Sequence, residues 1–127
     1  MKFEREKGRV INAPSEAQLL LELSKLRSTG PSGFAVLEAE NSYIQVAGGP
    51  GLFMLEKREH GDGRHYRAYQ GKPISPFPDG TMFSFTGGEL ALNQDEWFQR
   101  KQVEEVFLCF LKKTQSPVFL QWREISL

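Results

Sequence analysis

His60 and His65 are the only histidines of the chain, and Asp62 lies between them. Imidazole and carboxylate groups so spaced are donor types that a divalent ion accepts. The segment around them is short and polar, brings no third strong ligand and fits no zinc spacing, so a solvated hairpin tip is the expected role. A small enzyme using either histidine, such as a hydrolase, is the least favoured reading. Nucleophilic chemistry needs an activated hydroxyl or thiol beside a base. The single cysteine, Cys109, stands beside Phe107 and Phe110, surroundings in which a thiol acts as a small inert hydrophobe. Paired carboxylates occur as Glu38/Glu40 and Glu104/Glu105. Alternate strand residues share a face, so Glu38 and Glu40 point together if a strand reaches that far. Gly48-Gly49-Pro50-Gly51 has the composition of a phosphate loop. Such a cradle leads into a helix N-terminus, whereas this turn leads into another strand-like run and Pro50 removes a backbone donor. These residues point to no enzyme, no metal and no cofactor.

The elements that must position them begin with a helix. Ser15 with Gln18 three residues on is a capping box, and Leu19, Leu20, Leu23 and Leu26 then recur at helical spacing. The stripe predicts a helix ending near Arg27, before the breaker cluster Gly30-Pro31-Ser32-Gly33. Met1 to Arg9 alternates charge with little apolar content, and no element is predicted there. Strand-like runs follow at 34–38, 42–47, 52–58 and 64–69, separated by short turns that include Asp62-Gly63. Turns this tight require antiparallel neighbours. Residues 71–80 form an ordered surface loop, 82–86 a further strand, and 90–92 a brief pairing. A second helix is predicted from about Asp95 to Lys113, capped by Asn93 or Asp95. Its acidic start and basic end suit the helix dipole, and its buried stripe is Val103, Val106, Phe107, Phe110 and Leu111. A last strand is expected at 118–123, with Trp97 and Trp122 packed between it and the second helix. The order helix, strands, helix, strand predicts a single α+β domain over 1–127, an antiparallel meander with two helices on one face.

Composition narrows the function. The 127 residues carry 16 Lys plus Arg and 16 Asp plus Glu, a formal net charge of 0. Direct nucleic-acid binding usually rests on a basic excess, which is missing. One cysteine excludes a disulfide framework within the chain and suits a reducing compartment. No signal-peptide or membrane-spanning segment is expected, so the cytoplasm is the expected location. The middle strands mix aromatic and polar groups: Tyr43, Gln45, Glu56, Arg58, Tyr66, Arg67 and Tyr69. With Glu38 and Glu40 as local acidic groups, these nine residues are the candidate partner-binding set, since aromatic and arginine side chains anchor protein interfaces. Tyr43 and Gln45 share a face, as do Glu56 and Arg58. Glu56 has a second role open to it, as a partly buried partner of Arg58 or Arg67.

Five stretches together carry a resemblance: Tyr43-Ile44-Gln45-Val46-Ala47-Gly48, Met54-Leu55-Glu56-Lys57-Arg58, His65-Tyr66-Arg67-Ala68, the run Val103 to Phe110, and Pro117 leading to Trp122. From Phe34 to the end the chain resembles immunity protein family 1 of bacterial polymorphic toxin systems. The resemblance implies an intracellular inhibitor that binds a cognate toxin domain, in several systems a nucleic-acid deaminase, and occludes its active site without catalysis of its own. A secretion chaperone or adaptor that dimerises is the alternative of similar size and pattern.

Overall fold

A computed structural model describes residues 1–125; residues 126 and 127, which the single-domain reading of 1–127 includes, lie outside the described residues. The elements run β1 (Lys2–Arg5), β2 (Ile11–Asn12), α1 (Glu16–Leu23), β3 (Phe34–Glu38), β4 (Ser42–Gly48), β5 (Phe53–Glu59), β6 (His65–Tyr69), β7 (Thr81–Phe85), β8 (Gly88–Leu92), α2 (Arg100–Lys112) and β9 (Gln121–Ile125). Seven strands form one sheet in the order β2-β1-β3-β4-β5-β6-β9, with every neighbouring pair antiparallel. β7 and β8 make a separate hairpin. The fold is therefore α+β, with the expected meander, β3 to β6, at its centre.

Alternation along the strands divides the sheet into two unlike faces. Ala35, Leu37, Ile44, Val46 and Leu55 point one way and pack with Leu19 and Leu23 of α1 and Val103, Val106 and Phe107 of α2. Both helices thus lie on that face. On the reverse, Ala47 and Met54 pack with Phe83 and Leu92 of the hairpin and with Trp97. Phe85 meets Phe34 edge-on, ring centroids 6.3 Å apart. The β7–β8 hairpin covers only this part of the second face.

Several local expectations are corrected. The capping box forms, with Ser15 Oγ accepting from the Gln18 amide at 3.1 Å and Gln18 Oε1 accepting from the Ser15 amide at 2.8 Å. The helix stops at Leu23, however. The amides of Lys25 and Leu26 bond to carbonyls three residues back, which tightens the chain into a turn, and Leu26 is buried from that turn. The second helix starts at Arg100 instead of Asp95. Trp97 and Phe98 are buried, and Phe98 exchanges two backbone hydrogen bonds of 2.9 Å with Phe53 as an antiparallel bridge. Gln102 then accepts from the Gln99 amide at 2.9 Å. Phe110 and Leu111 are only half-buried. Trp97 sits under the hairpin, away from β9, and the last strand is 121–125 because Pro117 to Leu120 forms a turn.

The charged N-terminal segment supplies β1, which was not expected. Its one apolar residue, Phe3, is fully buried, and the strand pairs with β3. Arg5 ties it to α1, donating to Glu22 at 3.1 Å, and Lys25 donates to the same carboxylate at 2.6 Å. At the same end of the sheet, Gly49 has φ +103°, and a Cβ there would lie 2.5 Å from the Leu26 carbonyl oxygen. The turn from β4 to β5 thus passes close under the end of the α1 segment.

Two outcomes follow for stability. Gly49→Ala should lower the unfolding free energy by roughly 1–3 kcal/mol, the cost of forcing a side chain into left-handed backbone against a carbonyl. Gly51→Ala, where a Cβ meets nothing within 4 Å, should change it by less than about 0.5 kcal/mol in the same urea titration. Burial pushes the Glu22 carboxyl up, but the hydrogen bonds from Lys25 and Arg5 outweigh it and hold the group below its ordinary 4.5. A lowered native value means stability that is present above 4.5 and lost as pH falls through the native value. Melting temperature measured downward from that pH should fall less steeply in Glu22→Gln than in the parent.

Candidate functional site

The second face of the sheet gathers most of the nine candidate residues. The register sets Glu38 opposite Tyr43, Tyr43 opposite Arg58, Gln45 opposite Glu56, and Glu56 opposite Arg67. Directly opposed residues share a face, so Glu38, Tyr43, Gln45, Glu56, Arg58 and Arg67 project together, and Tyr69 joins them by alternation along β6. Tyr66 does not. It is opposite Lys57 and lies on the helix side. Glu40 is also apart, because β3 ends at Glu38 and Glu40 is exposed in the following turn. Glu38 and Glu40 therefore do not make a carboxylate pair on one strand face, and Glu38 is bound by Lys2 at 3.2 Å.

Glu56 is the most constrained of the set. Arg67 donates to its Oε2 from Nε at 3.0 Å and Nη2 at 2.9 Å, and Gln45 donates to its Oε1 at 3.0 Å. Of the two arginine partners open to Glu56, the structure selects Arg67, the cross-strand neighbour. The network extends beyond the sheet. Arg67 Nη1 reaches the Ala91 carbonyl of β8 at 3.3 Å and lies 4.0 Å from Glu96. Arg123 of β9 donates to Glu96 at 2.8 Å and to Asp95 at 3.3 Å, with its guanidinium 4.2 Å from the centre of the Tyr69 ring. Burial lowers the Arg123 guanidinium, and the two carboxylates more than offset this and raise it. Asp95 and Glu96, expected to begin a helix, instead join the segment before α2 to the sheet.

The remaining part of the face is open. It holds Lys2, Glu4, Val36, Glu38, Tyr43 and Gln45 around a shallow depression of about 270 Å³, with Arg58 exposed beside them. Arg58 has no ion pair among the described residues. Chemically this is a polar surface with one aromatic ring, able to offer hydrogen bonds and ion pairs. The histidine hairpin is similarly engaged. Asp62 accepts from the Arg64 amide at 2.7 Å and from the Tyr66 hydroxyl at 2.9 Å, which holds its carboxyl below the usual range and raises the phenol. His60 stands edge-on to Tyr43, ring centroids 6.1 Å apart. Among the described residues, no three His, Cys, Asp or Glu side chains converge on a point. No helix there is long and apolar enough to cross a membrane.

Sequence reasoning missed a second feature, a groove of about 500 Å³ on the helix side. Ile44 and Trp122 of the sheet face Val106, Cys109 and Phe110 of α2 across it. Lys57 lies in its floor, with Nζ 5.2 Å and 4.9 Å from the ring centres of Tyr66 and Trp122 and 3.0 Å from Glu59. The signal was present in β5. Phe53, Leu55 and Lys57 alternate onto the apolar face, so a lysine stands where the pattern asks for a hydrophobe.

Compared with protein-family models and with curated proteins, the chain matches none.

A pair of double-mutant cycles should separate the part-buried network from the open rim. Glu56→Gln combined with Arg67→Met should show a coupling of roughly 1–3 kcal/mol in unfolding free energy. Lys2→Met with Glu38→Gln, whose parent side chains are 50% and 40% exposed, should show about 1 kcal/mol or less.

Proposed function

We propose that this chain is an immunity protein that binds a toxin domain encoded beside it and neutralises it by covering the active site. The partner would be an enzyme acting on nucleic acid, such as a deaminase, met in the cytoplasm of the producing cell, and the chain would contribute no catalysis. The resemblance carried by the middle strands, the aromatic helix run and the late tryptophan supplies the family. The observation that carries the reading physically is the open part of the second sheet face. Glu38, Tyr43, Gln45 and Arg58 are presented there on paired strands, with Gln45 fixed by the adjoining Glu56–Arg67 pair on the same face. An inhibitor that works by shape needs such a preset surface, because ordering side chains on binding costs about 0.5–1.5 kcal/mol each. Tyr43 and Arg58 belong to the residue types that dominate interface energetics. The formal net charge of 0 assigns the work to local complementarity rather than to bulk attraction.

A dimeric adaptor is the competing reading, and one observation favours it. β9 pairs with β6 along one edge and, among the described residues, has no strand on the other, and an open edge is a template for strand addition by another chain.

Co-expression with the neighbouring toxin domain, followed by affinity capture and a growth assay, tests the proposal. The expected result is a one-to-one complex and restored growth. Arg58→Glu or Tyr43→Ala should each weaken binding by roughly tenfold, about 1.4 kcal/mol. Absence of both binding and protection removes the immunity reading, and a stable homodimer by light scattering in its place favours the adaptor.

A further inference from the structure

The helix-side groove and the open sheet face meet at one end of the molecule. The β3–β4 turn and the β5–β6 hairpin lie there side by side, joined by the His60 amide donating to the Asn41 carbonyl at 2.8 Å. Ser42 is opposite Glu59, and both line the groove; the next pair along, Tyr43 and Arg58, projects to the other face. Glu40, in the turn between, is also part of the groove wall. One partner could therefore contact both surfaces by passing around this end, without a break in the protein surface between them.

The groove has the make-up of an anchor site. Ile44, Val106, Phe110, Leu120 and Trp122 give it apolar walls, with Asn41, Ser42, Thr114 and Ser116 as polar groups among them, and its volume of about 500 Å³ is ample for a large side chain and its neighbours, within the ~300–1,000 Å³ usual for ligand sites. Lys57 is already satisfied by Glu59 and two aromatic faces. Two charges on the lips are not. Glu40 on the sheet side and Lys113 at the end of α2 are exposed, and neither has an ion pair among the described residues. Lys113 is held there by its left-handed backbone, φ 57°, which closes α2 with its amide on the last carbonyls.

We propose that this groove receives a segment of the partner protein: an aromatic or aliphatic side chain entering between Trp122 and Phe110, with a basic residue on the side of Glu40 and an acidic residue on the side of Lys113. This rests on the immunity reading and names the second half of its interface. The opposite charges on the two lips fix the direction in which the segment lies, because reversing it would set like charges together.

The only cysteine of the chain makes the proposal measurable, since Cys109 lines the groove and is partly exposed. Iodoacetamide labelling of Cys109, followed by intact mass, would be compared for the free protein and for its complex with the neighbouring toxin domain. The expected result is alkylation slowed by about tenfold or more in the complex. Glu40→Lys and Lys113→Glu should each weaken the complex by about tenfold, with Arg100→Ala, far along α2, as an unaffected control. A complex that forms while Cys109 reacts at its free rate and both charge reversals bind normally overturns the groove and leaves the immunity reading standing. No complex at all overturns that reading and the groove together. A free protein that is dimeric with Cys109 already protected shows the groove filled by a second copy, which also overturns it.

Discussion

A carboxylate in the middle of a sheet must be neutralised where it stands. Glu56 is 8% exposed, and removing water from an ionised group costs several kcal/mol unless a partner replaces it. Arg67 does so through two nitrogens on one oxygen, while Gln45 donates to the other. That pairing has consequences beyond β5 and β6. It places a guanidinium beside the β8 carbonyl of Ala91 and near Glu96, and Glu96 in turn takes Arg123 from β9. One polar chain thus links the central strands, the hairpin, the segment before α2 and the last strand. The hairpin's apolar contacts with Ala47 and Met54 pack it on the sheet, and the Arg67 bond to the Ala91 carbonyl adds a polar tie beside them. What the hairpin leaves uncovered is the surface on which the proposed function depends.

The two faces obey different rules. The helix face is an apolar layer whose residues follow the strand and helix periods, so part of its composition was legible: Leu19 and Leu23 of α1 and Val103, Val106 and Phe107 of α2 lie in the core as read, whereas Leu20 stays outside the core and Leu26 enters it from the turn beyond the helix. The reverse face was legible only in part. Alternation says which residues of one strand travel together, and so it pairs Tyr43 with Gln45 and Glu56 with Arg58. It does not relate one strand to the next unless apolar residues mark the core side. In β6 only Ala68 does so among His65, Tyr66, Arg67, Ala68 and Tyr69, and a lone alanine is too weak a marker to separate Tyr66 from its neighbours.

Other misreadings have a common cause: local signals that a tertiary partner claimed for another purpose. Asp95 and Glu96 have the spacing of acidic residues in a first helical turn, but Arg123, twenty-seven residues beyond Glu96, takes both. Phe98 is then held extended by Phe53, and the helix begins only at Arg100, with Gln99 as its cap. The segment Lys2–Arg5 has a single apolar residue, which is no pattern at all. It becomes a strand because β3 offers a free edge, Phe3 fills a space in the core, and Arg5 finds Glu22. Strand propensity in such a segment belongs to its neighbours more than to itself.

Lys57 belongs to a different class, a local rule broken without an apolar substitute. The helix face narrows toward the end of the sheet where α2 finishes, and β5 continues past the point where the helix can cover it. A hydrophobe at position 57 would face partly open space. A lysine can lay its methylene stem along Ile44 and Trp122 and carry its ammonium to Glu59 and the two rings. The same mismatch between a long strand and a shorter helix opens the groove. Its presence therefore follows from element lengths and not from a gap in packing. The cleft is bordered by the αL cap of α2 on one side and by two turns joined through the His60 amide and the Asn41 carbonyl on the other, so its walls belong to the scaffold's own backbone hydrogen bonds.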